Sequence, residues 1–268
     1  MNDTDDTNER GRRPGRPPED RALELLTASA RLRARVEDMV LEHRSRRPTP
    51  GFRLVGEGLE QIDAGLTALE PTARTSVWTM HPVLFWDPQN PMTDLDEQTR
   101  GRGLDMCLIT GERTAGAYPL ISSEMPHVRF GPAPSGFLLI DGTTAVVGGP
   151  PSDDGYPTAW LTTRGDVVAL VRAVWDAARP LSRPGVPDGA DPPFTARQCR
   201  VARRMVMGAK DAAIARELGV SVRTVAAEVA ALLLGLGVAS RAEAALVLRG
   251  GSDREAAGRR RPDRGHPR

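Results

Sequence analysis

The sequence predicts a two-domain chain, an α/β domain with a mixed sheet followed by a small all-α domain of four helices. Three observations carry that prediction. From about residue 50 to 180, short β-rich runs bounded by Gly or Pro alternate with stretches of helical spacing. Five prolines (Pro180, Pro184, Pro187, Pro192 and Pro193) then crowd the chain, a density that predicts a semi-stiff linker over 181–193 with no regular structure. Beyond it the strand signals stop, and residues 194–250 keep a helical period.

A chain of 268 residues, 40% hydrophobic, has enough apolar side chains for two packed cores, which excludes wholesale disorder. With 36 basic residues against 35 acidic ones the chain as a whole does not attract polyanions, so any nucleic-acid role has to come from local asymmetry. Cys107 and Cys199 are too few for a disulfide framework, and no CxxC pattern or Cys/His cluster suggests zinc; no cofactor is expected. The first residues lack the apolar core of a secretory signal, and no run approaches the roughly 18 apolar residues that span a bilayer, which predicts a cytoplasmic protein. Lys210 is the only lysine, so no lysine-dependent active site is expected before it.

Residues 1–20 are polar and read as a floppy tail. The spacing of Leu23, Leu26, Ala30, Val36, Met39, Val40 and His43 predicts an amphipathic helix over 21–47, packed on its own domain or offered to a partner's helix. Pro48, Pro50 and Gly51 end it, and Leu59, Ile62, Leu66 and Leu69 mark a second helix over 58–69. The period then changes. Segments 76–86, 104–110, 127–130, 136–140 and 143–149 read as strands, with Asp141-Gly142 as a two-residue hairpin turn between the last two. A strand at 158–163 leads into a helix over 165–179 that carries Val168, Leu170, Val171, Val174 and Trp175.

In the last domain Thr195 is a good N-cap for a helix ended by Gly208, with Val201, Ala202, Met205 and Val206 inward. Asp211 is expected to cap a short helix over 212–218 that buries Ile214, Ala215 and Leu218, and Gly219 supplies a tight turn. Ser221 caps a longer helix to 236 with Val222, Val225, Val229, Leu232 and Leu236 as its stripe, and 240–248 adds a fourth. A short helix, a glycine turn and a longer helix make a helix-turn-helix. Nine cationic side chains (Arg197, Arg200, Arg203, Arg204, Lys210, Arg216, Arg223, Arg241 and Arg249) face only Asp211, Glu217, Glu228 and Glu243 here, an asymmetry that favours phosphate. Residues 251–268 read as a basic mobile tail with arginines at 259–261.

These residues resemble the C-terminal DNA-binding domain of LuxR-type transcription regulators. The matching elements are Phe194-Thr195, Arg197, Gly208, Ile214-Ala215, Leu218-Gly219, Ser221, Arg223-Thr224-Val225, Val229, Leu236-Gly237-Val238 and Ser240-Arg241-Ala242-Glu243-Ala244. The resemblance implies a regulator whose helix over 221–236 enters the major groove, with double-stranded DNA as partner and a homodimer paired through 242–248. Ala226 stands where the family usually has Lys, and Gln198 where Glu is usual. Base reading therefore falls to Arg223, with Thr224, Glu228 toward a cytosine amine, and alanines such as Ala227 against thymine methyls; Thr195, Lys210, Ser221 and Arg241 are the candidates for backbone contacts. An alternative is a helical unit that only dimerises or binds another protein.

Residues 58–181 are similar to the phospholipase D-like effector domain of TrmB-type regulators. The resemblance rests on Ala73-Arg74, the strand at 76–79, Arg102-Gly103-Leu104-Asp105-Met106, His127-Val128-Arg129, the Asp141-Gly142 hairpin and the run from Trp175 through Pro180 to Leu181. Phosphodiesterases of that superfamily use His-x-Lys-x-x-x-x-Asp. In the register anchored on Asp141, Pro134 stands at the nucleophile and Gly136 at the lysine, so no enzyme is expected; a phosphodiesterase with a DNA anchor is the weaker rival. What remains is a sensing module. Trp78, His81, Trp86, Arg129, Asp141 and Trp160, at or near strand ends, are candidates for lining a small-molecule or partner site, with ordinary packing as the other reading of each.

Overall fold

The computed structural model describes residues 18–47, 49–89 and 92–250. Helix α1 (Pro18–Arg44) begins inside the segment read as a tail, with Glu19 and Asp20 at the positive end of its dipole. It packs on α6 (Gly165–Ala178) through Leu25, Ser29, Leu32, Val36, Met39 and Val40. The upstream half of this stripe is rotated from the expected one. Counting back from Val36, residues 32, 29 and 25 keep the i, i+3, i+4 register, whereas Leu23 and Leu26 fall off it and are exposed, as are Ala30 and His43.

The remaining elements of the first region are β1 (Phe52–Glu57), α2 (Leu59–Leu69), β2 (Ser76–His81), α3 (Met92–Gly101), β3 (Asp105–Thr110), α4 (Arg113–Ala117), α5 (Ile121–Glu124), β4 (Val128–Phe130), β5 (Phe137–Ile140), β6 (Thr144–Gly149), β7 (Thr158–Thr162) and β8 (Arg183–Pro184). The eight strands form one mixed sheet in the order β1-β7-β6-β5-β2-β3-β4-β8, with β2-β3 and β3-β4 parallel and the other pairs antiparallel. The strand expected over 76–86 stops at His81, because Pro82 has no N–H for the ladder. The segment read as an unstructured linker is not wholly so, because β8 adds two residues to the β4 edge and Arg129 donates to the Ser182 hydroxyl and carbonyl.

Side-chain alternation gives each strand two loyalties. Phe137, Leu139, Ala145, Val147, Trp160, Met80 and Ile109 face α1 and α6, while Val146, Ala159, Leu161 and Leu138 face the other way, toward α2. Farther along that second face Leu108, Val128 and Phe130 share a cluster with Leu120, Ile121 and the helical region: α7 (Ala196–Val206), α8 (Asp211–Leu218), α9 (Val222–Leu236) and α10 (Arg241–Leu248). The last four helices therefore also pack against the sheet region. Their core residues Val201, Ala202, Ile214, Val225, Leu232 and Leu248 continue into the core of the sheet.

A hairpin joins β5 and β6, but Ile140 pairs with Thr144, so three residues rather than the expected two, Asp141, Gly142 and Thr143, make the connection, with φ of 50° at Asp141 and 62° at Gly142 and the Thr143 N–H donating to the Ile140 carbonyl. Positive φ at both central positions is the type I′ pattern, which only Gly, Asn and Asp adopt readily. The Asp141 carboxylate accepts from the N–H groups of Arg74, Thr75 and Ser76 and from the Thr75 hydroxyl. Burial alone would raise its pKa, but these hydrogen bonds outweigh it and hold the carboxyl at about 2. Because the folded-state pKa lies below the ordinary carboxyl value, the stabilisation is present above about pH 4 and is lost as the pH falls toward 2. Asp141→Asn keeps a residue that tolerates positive φ but removes the charge. We expect the stability gap between wild type and this variant, measured by urea titration, to close between pH 5 and 2; a constant gap would contradict the assignment.

Candidate nucleic-acid interface

Thr195, Lys210, Ser221 and Ser240 are the N-cap residues of the four helices of this region. Thr195 caps α7 in a full capping box, its hydroxyl accepting from the Gln198 N–H while Gln198 Oε1 accepts from the Thr195 N–H. At α8 the N-cap is Lys210 rather than Asp211, which is the first helical residue and pairs with Arg241 at 2.7 Å. Ser221 caps α9 by accepting from the Thr224 N–H, and the two hydroxyls are 2.8 Å apart. Ser240 caps α10, with Glu243 Oε2 accepting from the Ala239 N–H. Gly219, at φ 64°, ends α8 in the left-handed conformation that frees the chain to turn. The α8 and α9 axes are bent by 108°, the geometry of a helix-turn-helix.

Helix α9 buries Val225, Val229 and Leu232 and exposes Arg223, Ala226, Ala227, Ala230, Ala231 and Leu234, the last at 84%. Val222, expected in the core stripe, is instead exposed at the first position of α9. Glu228 is half-buried and sits 3.5 Å from Arg197. Arg204 pairs with Glu217, and Arg203 with Glu124. Among the described residues Arg200, Lys210, Arg216, Arg223 and Arg249 form no ion pair, so the free cationic charge is smaller than composition suggests. Exposed ion pairs are weak, however, and Arg197, Arg204 and Arg241 can exchange a carboxylate for a phosphate.

Arg203 belongs to a different structure. Its guanidinium meets Glu124 with both nitrogens, Nε to Oε1 at 2.8 Å and Nη2 to Oε2 at 2.7 Å, and donates through Nη1 to the Asp87 carbonyl. The Tyr118 hydroxyl donates to Glu124 Oε2. Burial, then the Glu124 charge and hydrogen bond, push the Tyr118 pKa far above its usual range, so it remains a donor. Trp86 lies beneath, its ring centroid 5.7 Å from the guanidinium. Phe194 N–H donates to the Ser123 hydroxyl beside this clasp. The clasp ties α7 to α5, a pairing with no local signal in the sequence.

The six side chains considered for a ligand pocket do not converge. Trp78 stacks on Trp175 at 5.2 Å and donates to Asp105; Trp160 is buried, stacks on Phe52 and donates to Thr158. Trp86, only 1% exposed, is under the clasp on the other face of the sheet. Arg129 is bound to Ser182, Asp141 holds the 74–76 backbone, and His81 Nδ1 meets the Val83 carbonyl, with burial lowering its pKa. An open groove of about 870 Å³ between α1 and α6 and a cleft of about 290 Å³ between α3, α5 and α7 are lined by none of the six. Their anchoring in the fold is the physical reason: each except Trp86 has a polar atom hydrogen-bonded within the core or a turn, and the Trp86 indole N–H is buried without an acceptor among the described residues.

No single helix among the described residues is long and apolar enough to cross a membrane. The arginines at 259–261, considered for phosphate contact, and His266 lie outside the described residues.

Residues 192–248 match the family described as bacterial regulatory proteins, luxR family, so the helical region is a LuxR-type helix-turn-helix unit. No curated protein matches the sequence. Among solved structures, the chain is similar to Nuc from Salmonella typhimurium, a phospholipase D family member, at 13% identity and TM-score 0.41 over 51% of this chain and 98% of that one. TrmBL2, an archaeal chromatin protein with a novel mode of DNA binding, is similar at 14% identity and TM-score 0.37 over 60% of this chain and 66% of that one. NucT from Helicobacter pylori is similar at 12% identity and TM-score 0.37, over 50% and 96%.

Proposed function

We propose that the protein is a DNA-binding transcription regulator in which α9 enters the major groove and the sheet region serves as a non-catalytic sensing module, acting in the cytoplasm. The observation that carries this reading is the outer face of α9: exposed at Arg223, Ala226, Ala227, Ala230 and Ala231, set at 108° to α8, and led by Arg223, which meets no carboxylate among the described residues. Arg223 is the main base reader, with Thr224 and Ala227 beside it. Glu228 reads a cytosine amine after release from Arg197. Thr195, Lys210 and Ser221 are the caps of three successive helices and Arg241 opens the fourth. Helix starts favour anions, which suits all four to phosphate contacts. Leu246 and Val247 are exposed on α10 and support pairing of two copies there, one per half-site.

The test is a selection of bound DNA fragments with the purified chain, followed by Arg223→Ala. We expect affinity for the selected fragment to fall by about 1–3 kcal/mol and the preference at one base pair to relax. Unchanged binding would favour a second reading, a protein-interaction module, which the alanine-rich face ending in Leu234 supports. Absence of turnover on a generic phosphodiester is the accompanying expectation for the sheet region.

A further inference from the structure

The cleft of about 290 Å³ between α3, α5 and α7 carries an imbalance of charge that the fold does not use. Four arginines line it. Arg203 is spent on Glu124 and Arg204 on Glu217. Arg100, from the sheet region, donates to the Glu124 carbonyl and has its countercharge in Asp96, one turn back on α3, whose carboxyl is raised to about 6 by burial against the lowering effect of Arg100, and Arg200, from the helical region, forms no hydrogen bond or ion pair among the described residues. Glu97 is the one other acidic residue on the wall. The field of Arg100 is felt nearby: burial first and Arg100 second bring the His127 pKa down to about 4. A concave site whose lining includes Arg100 of α3 and Arg200 of α7, neither in an ion pair among the described residues, suits an anion, since each fork matches the geometry of a phosphate or carboxylate. The volume is at the lower end for ligand sites and excludes large molecules.

We infer that this cleft is a binding site for a small oxyanion with two or more negative charges, bridged between Arg100 of the sheet region and Arg200 of the helical region. Such a ligand joins the two regions beside the Arg203 clasp. Its consequence for gene control rests on the regulator reading above, but its binding does not, so the test omits DNA from its first arm.

Inorganic pyrophosphate serves as probe. The full chain is melted, and titrated by calorimetry, in pyrophosphate against sodium chloride of equal ionic strength. A saturable rise in the melting midpoint is expected, specific to pyrophosphate. Arg100→Gln with Arg200→Gln is expected to weaken binding by at least about tenfold, the order of one lost charge-assisted hydrogen bond. The ligand-free midpoint should fall only slightly, through loss of the Arg100 hydrogen bond to the Glu124 carbonyl, because neither side chain is in an ion pair among the described residues. Arg216→Gln, an exposed cation on α8, is expected to retain the response. No rise beyond the chloride control, or an equal rise in the double variant, overturns the inference. In a second arm, a selected DNA duplex that displaces pyrophosphate one for one would assign the cleft to backbone phosphate and also overturn it.

Discussion

Arg203→Met is expected to destabilise the folded chain by about 3–5 kcal/mol, the usual cost of removing one partner from a buried ion pair. The methionine fills much of the volume but leaves the Glu124 carboxylate, 4% exposed, facing Tyr118 alone in a dry environment. The Asp87 carbonyl loses its donor as well, and Trp86 loses the cation above its ring. The cost is that of an uncompensated charge rather than the net worth of the pair, and a second variant separates the two. Arg203→Met with Glu124→Leu removes both charges and is expected to recover most of the loss. Urea unfolding followed by tryptophan fluorescence and circular dichroism measures both; a single-variant loss below about 1 kcal/mol would show that the clasp does not hold α7 to α5.

Trp175→Ala is expected to cost about 3–5 kcal/mol, the range for a large aromatic deleted from a closed core. Trp175 is 1% exposed and stands where α6 meets the sheet. Its ring stacks on Trp78 with a 9° interplanar angle and meets Phe137 edge-on at 6.4 Å. The neighbouring β-sheet cannot collapse into the cavity without breaking its ladder, so relaxation recovers little. The denaturation midpoint should fall with little change in slope; a loss below about 1 kcal/mol would mean that α6 shifts to fill the space. The two variants strike opposite faces of one sheet, in clusters that share no residue.

The sequence makes the central strands and the helix-turn-helix legible for different reasons. β2, β3, β5, β6 and β7 are apolar runs between glycines and prolines, and a β-branched run in a sheet centre has few other options. β1 escapes notice because FRLVGE carries Arg53 and Gly56, lies at an edge and is bulged at Val55, which breaks the alternation. α4 and α5 have five and four residues, too short to show a helical period. Thr195 and Ser221 are readable as caps because the chemistry is local, three residues across. Arg203 looks like one more phosphate-facing cation, and only folding brings it to Glu124, 79 residues away in sequence. The same limit applies to Arg100 and Arg200, which sit in unrelated stretches of chain.

The two-residue strand at Arg183–Pro184 has a mechanical consequence. Because the chain is stitched to the sheet edge there, the free leash to Phe194 is only residues 186–193. Fully extended, eight residues reach about 28 Å. If the contacts of α7 let go, the DNA-reading head would swing within that radius and return quickly, so its local concentration near its seat stays high. Opening and closing would then be a tethered excursion rather than a departure, and an inserted stretch of Gly and Ser in the leash would tilt the balance toward the open arm.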